Sequence, residues 1–376
     1  KAGVVQPSHG PWASPVVLVT KKDGTTRFCV DYRALNRITK KDSYPLPRVD
    51  LILDTLAKSV WRSSLDLVSG YWQIPVHERD IEKTAFATQH GTFEFTVMPF
   101  GLTNAPASFQ RDMDVVLSGL NWVSTLVYID DIIVFSKTFE EHMVHLQEVF
   151  DRLRTANMFV KPSKCCFCRQ ELPFLGHIIR KDGISADPAK LKAVADMSEP
   201  ANVTEVRAFL GLCNYYRRFV PNFASIAEPL YRLTSVSLNQ RWLWTDVCNQ
   251  AFLQLKEALL SPPVLAFPDY EAPFTLHTDA SKLAIGAVLS QGQGDEERVI
   301  AYASRRLSGS ERNYSVCEWE CLSIVYWITF FHHYLHGSRF IVITDHAALR
   351  RLMEAREQRG RLARWALKLQ PYEFEI

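Results

Sequence analysis

Three acidic residues stand where a chain ordinarily buries hydrocarbon. Thr125–Ser136 reads TLVYIDDIIVFS, with apolar residues running up to Asp130 and Asp131 and continuing beyond them. Two like charges ~4 Å apart repel by roughly 4 kcal/mol at an effective dielectric near 20. In a regular strand neighbouring side chains point to opposite faces, whereas a hairpin turn can present both carboxylates close together. A divalent cation then turns the repulsion into attraction, because magnesium takes carboxylate oxygens and substrate phosphates. The alternative for the pair alone is a solvated Asp-Asp turn. Asp66, in WRSSLDLVSGYWQIPV, lies between Leu65 and Leu67 in a second strand-like run. Asp66, Asp130 and Asp131 together would form a three-carboxylate cluster suited to two-metal phosphoryl or nucleotidyl transfer.

The elements that must position these groups are legible in outline. TLVYIDDIIVFS is short, β-branched and aromatic, and reads as two strands with Asp130-Asp131 at the turn. SPVVLVTKKDGTTRFCVDY reads as two strands around a Lys-Asp-Gly turn. Pro47 opens a helix with Val49, Ile52, Leu53 and Leu56 inward. Phe139–Phe159 is a second amphipathic helix, with Met143, Leu146, Phe150 and Leu153 inward. From Pro188 to about Pro262 the patterns are mostly helical, with Val206, Phe209, Leu210 and Cys213 on one face and Phe252, Leu255 and Leu259 on another. SPPVLAFPDYEAP is proline-rich and reads as a linker. FTLHTDAS, AIGAVLSQ and RVIAYASRRL then read as consecutive strands, followed by a helix (about 315–335), the strand RFIVITD and a basic helix.

A chain of 376 residues with 47% apolar and 22% charged residues can bury two or three cores. Its net charge of +2 means that any basic surface must be local. Apolar runs such as Ile324–Phe331 are too short to span a bilayer, so no membrane partner is expected. KAGVVQPSHG has no signal-peptide core, which predicts an intracellular protein. Among the eight cysteines, Cys165 and Cys168 make a C-x-x-C, but no second pair follows at zinc-site spacing. Free thiols in a reducing compartment are expected.

RFCVDYRALN, LDLVSGYWQIPV, TAFATQHGTFEFTVMPFGLTNAPASFQ, YIDDIIVFS, FLGHII, FLGLCNYYRRFVPNFA and TDAS occur in this order. Together they resemble the reverse transcriptase/RNase H region of gypsy-type (Metaviridae) LTR retrotransposon polyproteins, across essentially the whole chain. The resemblance implies an α/β (α+β) fold: a right-hand polymerase of fingers, palm and thumb, followed by a truncated RNase H-like domain. The implied boundaries are 1–185 for fingers and palm, 186–262 for a helical thumb, 263–273 for a linker and 274–376 for the RNase H-like domain. The implied activity is RNA- and DNA-directed DNA synthesis from a primer. Magnesium is the implied metal, with manganese as its alternative. RNA template, DNA primer, RNA–DNA hybrid and dNTPs are the implied partners.

Residue by residue, the resemblance makes Asp66, Asp130 and Asp131 the catalytic metal ligands. It places Lys21, Lys22 and Arg27 on the incoming triphosphate, with a solvated basic hairpin as the alternative. Asp31 and Arg33 either pair within the fingers or touch template. Tyr71 falls at the steric gate against a ribose 2′-hydroxyl, with an ordinary half-buried tyrosine as the alternative. Phe100 and Gly101 open the helix that contains Gln110, all three on the dNTP side. Related retroviral enzymes carry Gln at the position of Phe100, so packing must replace that contact here. Lys164 lies near the pyrophosphate or is a surface lysine. FLGHII resembles the primer grip.

The RNase H-like resemblance gives a second metal set, Asp279, Glu320 and Asp345, three of that family's four carboxylates; Glu318 would face away. In the final basic helix, Arg350, Arg351, Arg356, Arg359, Arg361 and Arg364 could follow a phosphate backbone, or form a solvated face with intrahelical ion pairs. The family continues beyond YEFEI with another strand and a helix bearing a fourth aspartate. Three expectations follow: a piece of a longer polyprotein whose protease and integrase lie outside this chain, an unpaired edge on RFIVITD, and impaired RNase H activity. A homodimer and a cytoplasmic location within virus-like particles are compatible with this reading. The rival from another class is a non-catalytic nucleic-acid-binding remnant, or a structural subunit of a reverse transcriptase dimer.

Overall fold

The fully apolar run Ile132-Ile133-Val134 can only be a strand covered on both faces, and the structure places it so. A computed structural model describes residues 3–20, 24, 26–234, 242–345 and 361–376. The chain divides into two compact units, residues 1–172 and 173–376.

In the first unit a four-stranded antiparallel sheet runs in the order Thr125–Tyr128, Asp131–Ser136, Trp61–Asp66, Cys166–Arg169. Ile132, Ile133 and Val134 are fully buried. Ile132 and Val134 share a core with Phe109 and Met113 of the Ala105–Val116 helix and with Leu146, Val149 and Leu153 of the Phe139–Thr155 helix. Each such side chain contributes about 1.5–3 kcal/mol on burial. A Thr138/Glu141 capping box starts the second helix.

That helix departs from the expected face. Met143 is 48% exposed, and His142 takes the buried slot. The reason is polar: His142 Nε2 lies 2.7 Å from Ser63 Oγ and Nδ1 lies 3.0 Å from Ser136 Oγ. The ring thus satisfies two hydroxyls on the strands that end at Asp66 and begin at Asp131. Burial lowers His142 to about 4, followed by the charge of His145, so it stays neutral.

The hairpin Val16–Thr20/Thr26–Val30 forms as read, with Val16 opposite Val30. Lys21, Lys22 and the side chain of Arg27 lie outside the described residues.

In the second unit the expected helical faces are buried: Val206, Phe209, Leu210 and Cys213 on Val203–Tyr215, and Phe252, Leu255 and Leu259 on Asp246–Leu260. The Phe209 and Phe252 rings meet at 4.6 Å. The proline-rich run is not a free linker. Leu265 is fully buried and exchanges both backbone hydrogen bonds with Ile184, and Ala266 N–H donates to Val299 C=O. A Cβ on Gly183 would stand 2.2 Å from Leu265 O, so only glycine permits this approach.

A five-stranded sheet follows in the order Arg298–Arg306, Ala284–Gln291, Phe274–Ala280, Arg339–Ile343, Glu373–Glu375. The expected helix over 315–335 is split into Val316–Phe330 and His332–Leu335. The expected open edge on RFIVITD is not open: Glu373–Glu375 pairs parallel with it, Phe340 opposite Phe374. Tyr372, Phe374 and Ile376 alternate with Glu373 and Glu375 and pack against the core, Phe374 stacking at 5.3 Å on Phe340. All eight cysteines are free. No helix among the described residues is long and apolar enough to cross a membrane.

Candidate active sites

The first acidic cluster is assembled by strand register. Asp66 and Asp131 are direct cross-strand partners at the end of the antiparallel pair. Like charges so placed destabilise a sheet. Asp130 lies in the two-residue turn between Tyr128 and Asp131, after Ile129, whose φ is +55°. The turn is therefore Ile129-Asp130, one residue earlier than the sequence suggested, and Asp131 already belongs to the strand. A two-residue hairpin with positive φ at its first central position normally takes glycine; a β-branched residue there is strained.

Gln110 holds this turn. Its Oε1 accepts from Ile129 N–H at 2.9 Å, and its Nε2 donates to Val127 C=O at 3.2 Å. Gln110 is fully buried. Its expected place among the dNTP contacts is therefore corrected: the amide is spent on the turn that carries Asp130.

Gly70 keeps the other side open. A Cβ there would lie 2.8 Å from Asp130 Oδ1 and 3.2 Å from the Phe109 ring. Asp130 Oδ1 is buried with no hydrogen-bond partner among the described residues. Burial, then the charges of Asp131 and Asp66, raise Asp130 to about 6. Asp131 is also raised, by desolvation and then by Asp66, although its outer edge is exposed. Lys164 Nζ donates to Asp66 Oδ2 at 2.9 Å. Lys164 thus supplies positive charge at the cluster.

Tyr71 follows Gly70 and is 8% exposed. Its ring meets Phe100 at 5.1 Å and Phe109 at 5.3 Å. Burial, then the nearby Asp130 charge, pushes its hydroxyl to about 12. Phe100 and Gly101 do not open the helix; they form a turn before it, and the helix begins at Ala105. Gly101 C=O accepts from Asn36 Nδ2 at 2.9 Å. Asp31 and Arg33 form a forked pair, with Nη2 to Oδ2 at 2.7 Å, and the Arg33 hydrogen bond holds Asp31 at about 2. This is the internal pairing of the two readings.

The second cluster forms at one end of the five-stranded sheet. Phe274–His277 pairs in parallel with Phe340–Ile343, and Asp279 and Asp345 each lie two residues further along. Glu320, on the Val316–Phe330 helix, is 4% exposed, and its Oε2 is buried without a partner among the described residues. Burial, then the charges of Asp345 and Asp279, raise it to about 7. Glu318 is turned away, as expected: it caps the helix with Ser315 and pairs with Arg361 at 2.9 Å. Arg361 also covers the Tyr314 ring at 3.8 Å. It therefore fastens its own helix to the Val316–Phe330 helix. Arg364 is exposed. Arg350, Arg351, Arg356 and Arg359 lie outside the described residues.

No three Asp, Glu, His or Cys side chains of the described residues already converge as a preformed metal cage. The donor chemistry nonetheless fits hard divalent cations. Each cluster offers carboxylates only, and each includes one buried carboxylate oxygen that no group among the described residues satisfies.

A family model described as reverse transcriptase (RNA-dependent DNA polymerase) matches residues 19–179, and one described as the RNase H-like domain found in reverse transcriptase matches residues 269–372. The chain belongs to the reverse transcriptase family. It is 43% identical over 381 residues to the retrovirus-related Pol polyprotein from transposon 297 of Drosophila melanogaster, covering 100% of this chain and 35% of that protein. It is 40% identical to the counterpart from transposon opus of the same organism, covering 100% and 39%. It is 37% identical to the Tf2-3 polyprotein of Schizosaccharomyces pombe, covering 100% and 28%. These relatives place this reverse transcriptase among the gypsy-type elements, and it spans about a third of their length. Its fold is similar to that of foamy viral protease-reverse transcriptase in complex with dsDNA (TM-score 0.84, 27% identity, 100% of this chain and 79% of that one). It is also similar to that enzyme in complex with RNA/DNA hybrid (TM-score 0.81, 27% identity, 100% and 51%).

Three features of the site were not read from sequence. Gly70, in VSGYW, is the one with a local signal, a glycine four residues after Asp66. The Gln110 clamp and the Lys164–Asp66 pair have none, because each joins segments distant in the chain.

Proposed function

We propose that this chain is the polymerase of its element, extending a DNA primer on RNA and then DNA templates with dNTPs. The observation that carries the reading is Asp130 Oδ1, buried and unpaired beside Asp66 and Asp131. A cation is the group that completes such a site. Asp66, Asp130 and Asp131 would hold magnesium, or manganese, which when bound activates the primer 3′-hydroxyl and neutralises the triphosphate.

The chain's own residues do the rest. The Asp66–Asp131 register and the Gln110 clamp fix the backbone that carries the three carboxylates before substrate arrives, so only side-chain adjustment remains as metal binds. Tyr71, braced by Phe100 and Phe109, presents a rigid wall beside Asp130, where a sugar 2′-hydroxyl would meet it. Asp279, Glu320 and Asp345 would hold metal in the same way for cleavage of the RNA strand in a hybrid. The foamy viral neighbours bound to dsDNA and to RNA/DNA hybrid support both substrate classes.

The Lys164–Asp66 pair favours a second reading, a non-catalytic nucleic-acid-binding subunit in which lysine closes the cluster permanently. That reading leaves Asp130 Oδ1 unexplained. The deciding experiment is extension of an annealed DNA primer on an RNA template with magnesium and all four dNTPs. Template-directed product is expected; binding without extension would leave the subunit reading standing.

A further inference from the structure

Within the second unit, the Phe223–Ile226 and Glu228–Thr234 helices and the end of the Arg298–Arg306 strand border an open cavity of about 810 Å³. Its lining is strongly cationic. Arg217, Arg232, Arg305, Arg306 and Arg312 all face it. Two carboxylates answer these five guanidinium groups. Glu228 accepts from Arg232 at 2.6 Å and lies 3.8 Å from Arg312. Glu311 takes Arg305 through both nitrogens, at 2.8 and 2.9 Å, and that contact holds Glu311 at about 2. Arg217 donates to the Ser304 carbonyl. Arg306 lies over the Tyr231 ring at 4.8 Å, with no carboxylate partner among the described residues.

The cationic excess is therefore built and held in place. Arginines pinned by a carboxylate, a carbonyl or a ring lose little side-chain freedom when they meet an anion, and their planar forks match phosphate oxygens. The cavity also has a definite address. Asp279, Gly286 and Ser304 are successive cross-strand partners, and Arg305 and Arg306 directly follow Ser304. At about 4.8 Å per strand, the cavity begins roughly 10 Å from Asp279. That is a few nucleotides along a strand at about 3.4 Å of rise each.

We propose that this arginine-lined cleft binds backbone phosphates of a nucleic-acid strand and so holds a hybrid beside the Asp279/Glu320/Asp345 cluster. The proposal rests on the nucleic-acid reading above and extends it to a site that neither carboxylate cluster includes. Arg306, with no carboxylate partner among the described residues, and Arg312, 3.8 Å from a Glu228 that is already taken by Arg232, carry most of the attraction, while Arg217 is spent on the Ser304 carbonyl.

The test compares the whole chain with R306Q/R312Q and with R306K/R312K. The affinity for a long RNA/DNA hybrid is measured across a salt series, and melting temperature checks folding. Each phosphate contact contributes about 0.9 to the salt slope. The double Gln variant should therefore lose about two units of slope and at least tenfold in affinity at low salt, with the double Lys variant recovering most of both. Titration with tripolyphosphate, read by melting, separates a mobile polyanion from a strand. An unchanged hybrid slope in a folded Gln variant overturns the proposal. So does a variant whose only loss is stabilisation by tripolyphosphate, since the occupant is then not a nucleic acid. Primer extension by the wild-type chain is run alongside, and its failure would count against the polymerase reading and not against the cleft.

Discussion

Gln110 Oε1 accepts the Ile129 backbone N–H at 2.9 Å, joining the buried face of the Ala105–Val116 helix to the turn that carries Asp130. Because Ile129 sits at φ +55°, the turn needs this external hold. Gln110→Leu should leave the Ile129 N–H unsatisfied and cost about 1–3 kcal/mol of stability. The extension rate should fall about 10–100-fold, the scale for losing a group that orients a ligand, with template–primer binding retained. Single-turnover extension and thermal melting read the two effects separately. Loss of stability at unchanged rate would confine Gln110 to folding.

Gly70→Ala places a methyl group 2.8 Å from Asp130 Oδ1, with the Phe109 ring behind it. The carboxylate must then turn away from Asp66 and Asp131. Extension should need more magnesium for half-saturation, and a magnesium titration of the rate checks this. Ser118→Ala, at an exposed helix end, serves as the control.

Tyr71→Val shortens the wall beside Asp130. Ribonucleotide incorporation relative to deoxynucleotide should rise by about tenfold or more, the effect of relieving one unfavourable contact in a packed site. Competition between matched ribo- and deoxynucleotides in one reaction gives the ratio directly. An unchanged ratio would place sugar discrimination elsewhere.

Stability and metal affinity should both depend on pH. Glu320 is held at about 7 and Asp130 at about 6, both above ordinary carboxylates. The folded chain therefore keeps protons that the unfolded chain has released. Their contribution to stability is complete below the ordinary carboxylate range and is lost as pH rises through 6 and 7. Magnesium competes for the same oxygens, so the melting-temperature gain it gives should grow across that window. Glu320→Gln should flatten the upper part of the decline without metal. Melting curves with and without magnesium on both sides of the window measure this, and pH-independent curves would contradict it.

The chemistry of the site was legible because it is local. Asp66 and Asp131 close or open strands whose apolar runs declare them, whereas Asp279 and Glu320 were legible through the family resemblance of TDAS and ECLSIV, because the Val316–Phe330 helix is buried on nearly every side and shows no single apolar face. Interactions between distant segments were not legible. His142 replaces Met143 on the buried face because two serine hydroxyls from other strands need a partner, which no helical period reveals. The proline-rich run looked like a linker because its exchange with Ile184 is a tertiary pairing. The family resemblance set Phe100 and Gly101 at the helix start, but the Gly101 backbone, with φ +96°, makes a turn. The strand Glu373–Glu375 was missed because only Phe374 in it faces a core.

We propose that Asp66, Asp130 and Asp131 form one magnesium site that performs nucleotidyl transfer. This is tested most directly by Asp130→Asn, which keeps the shape of the side chain and removes the buried charge. Primer extension on an RNA template is measured for both chains, with hybrid binding and melting as controls. The variant should fold, be at least as stable as wild type without metal, bind hybrid, and extend on the order of a hundredfold or more slowly. Extension at the wild-type rate by Asp130→Asn would contradict the proposal.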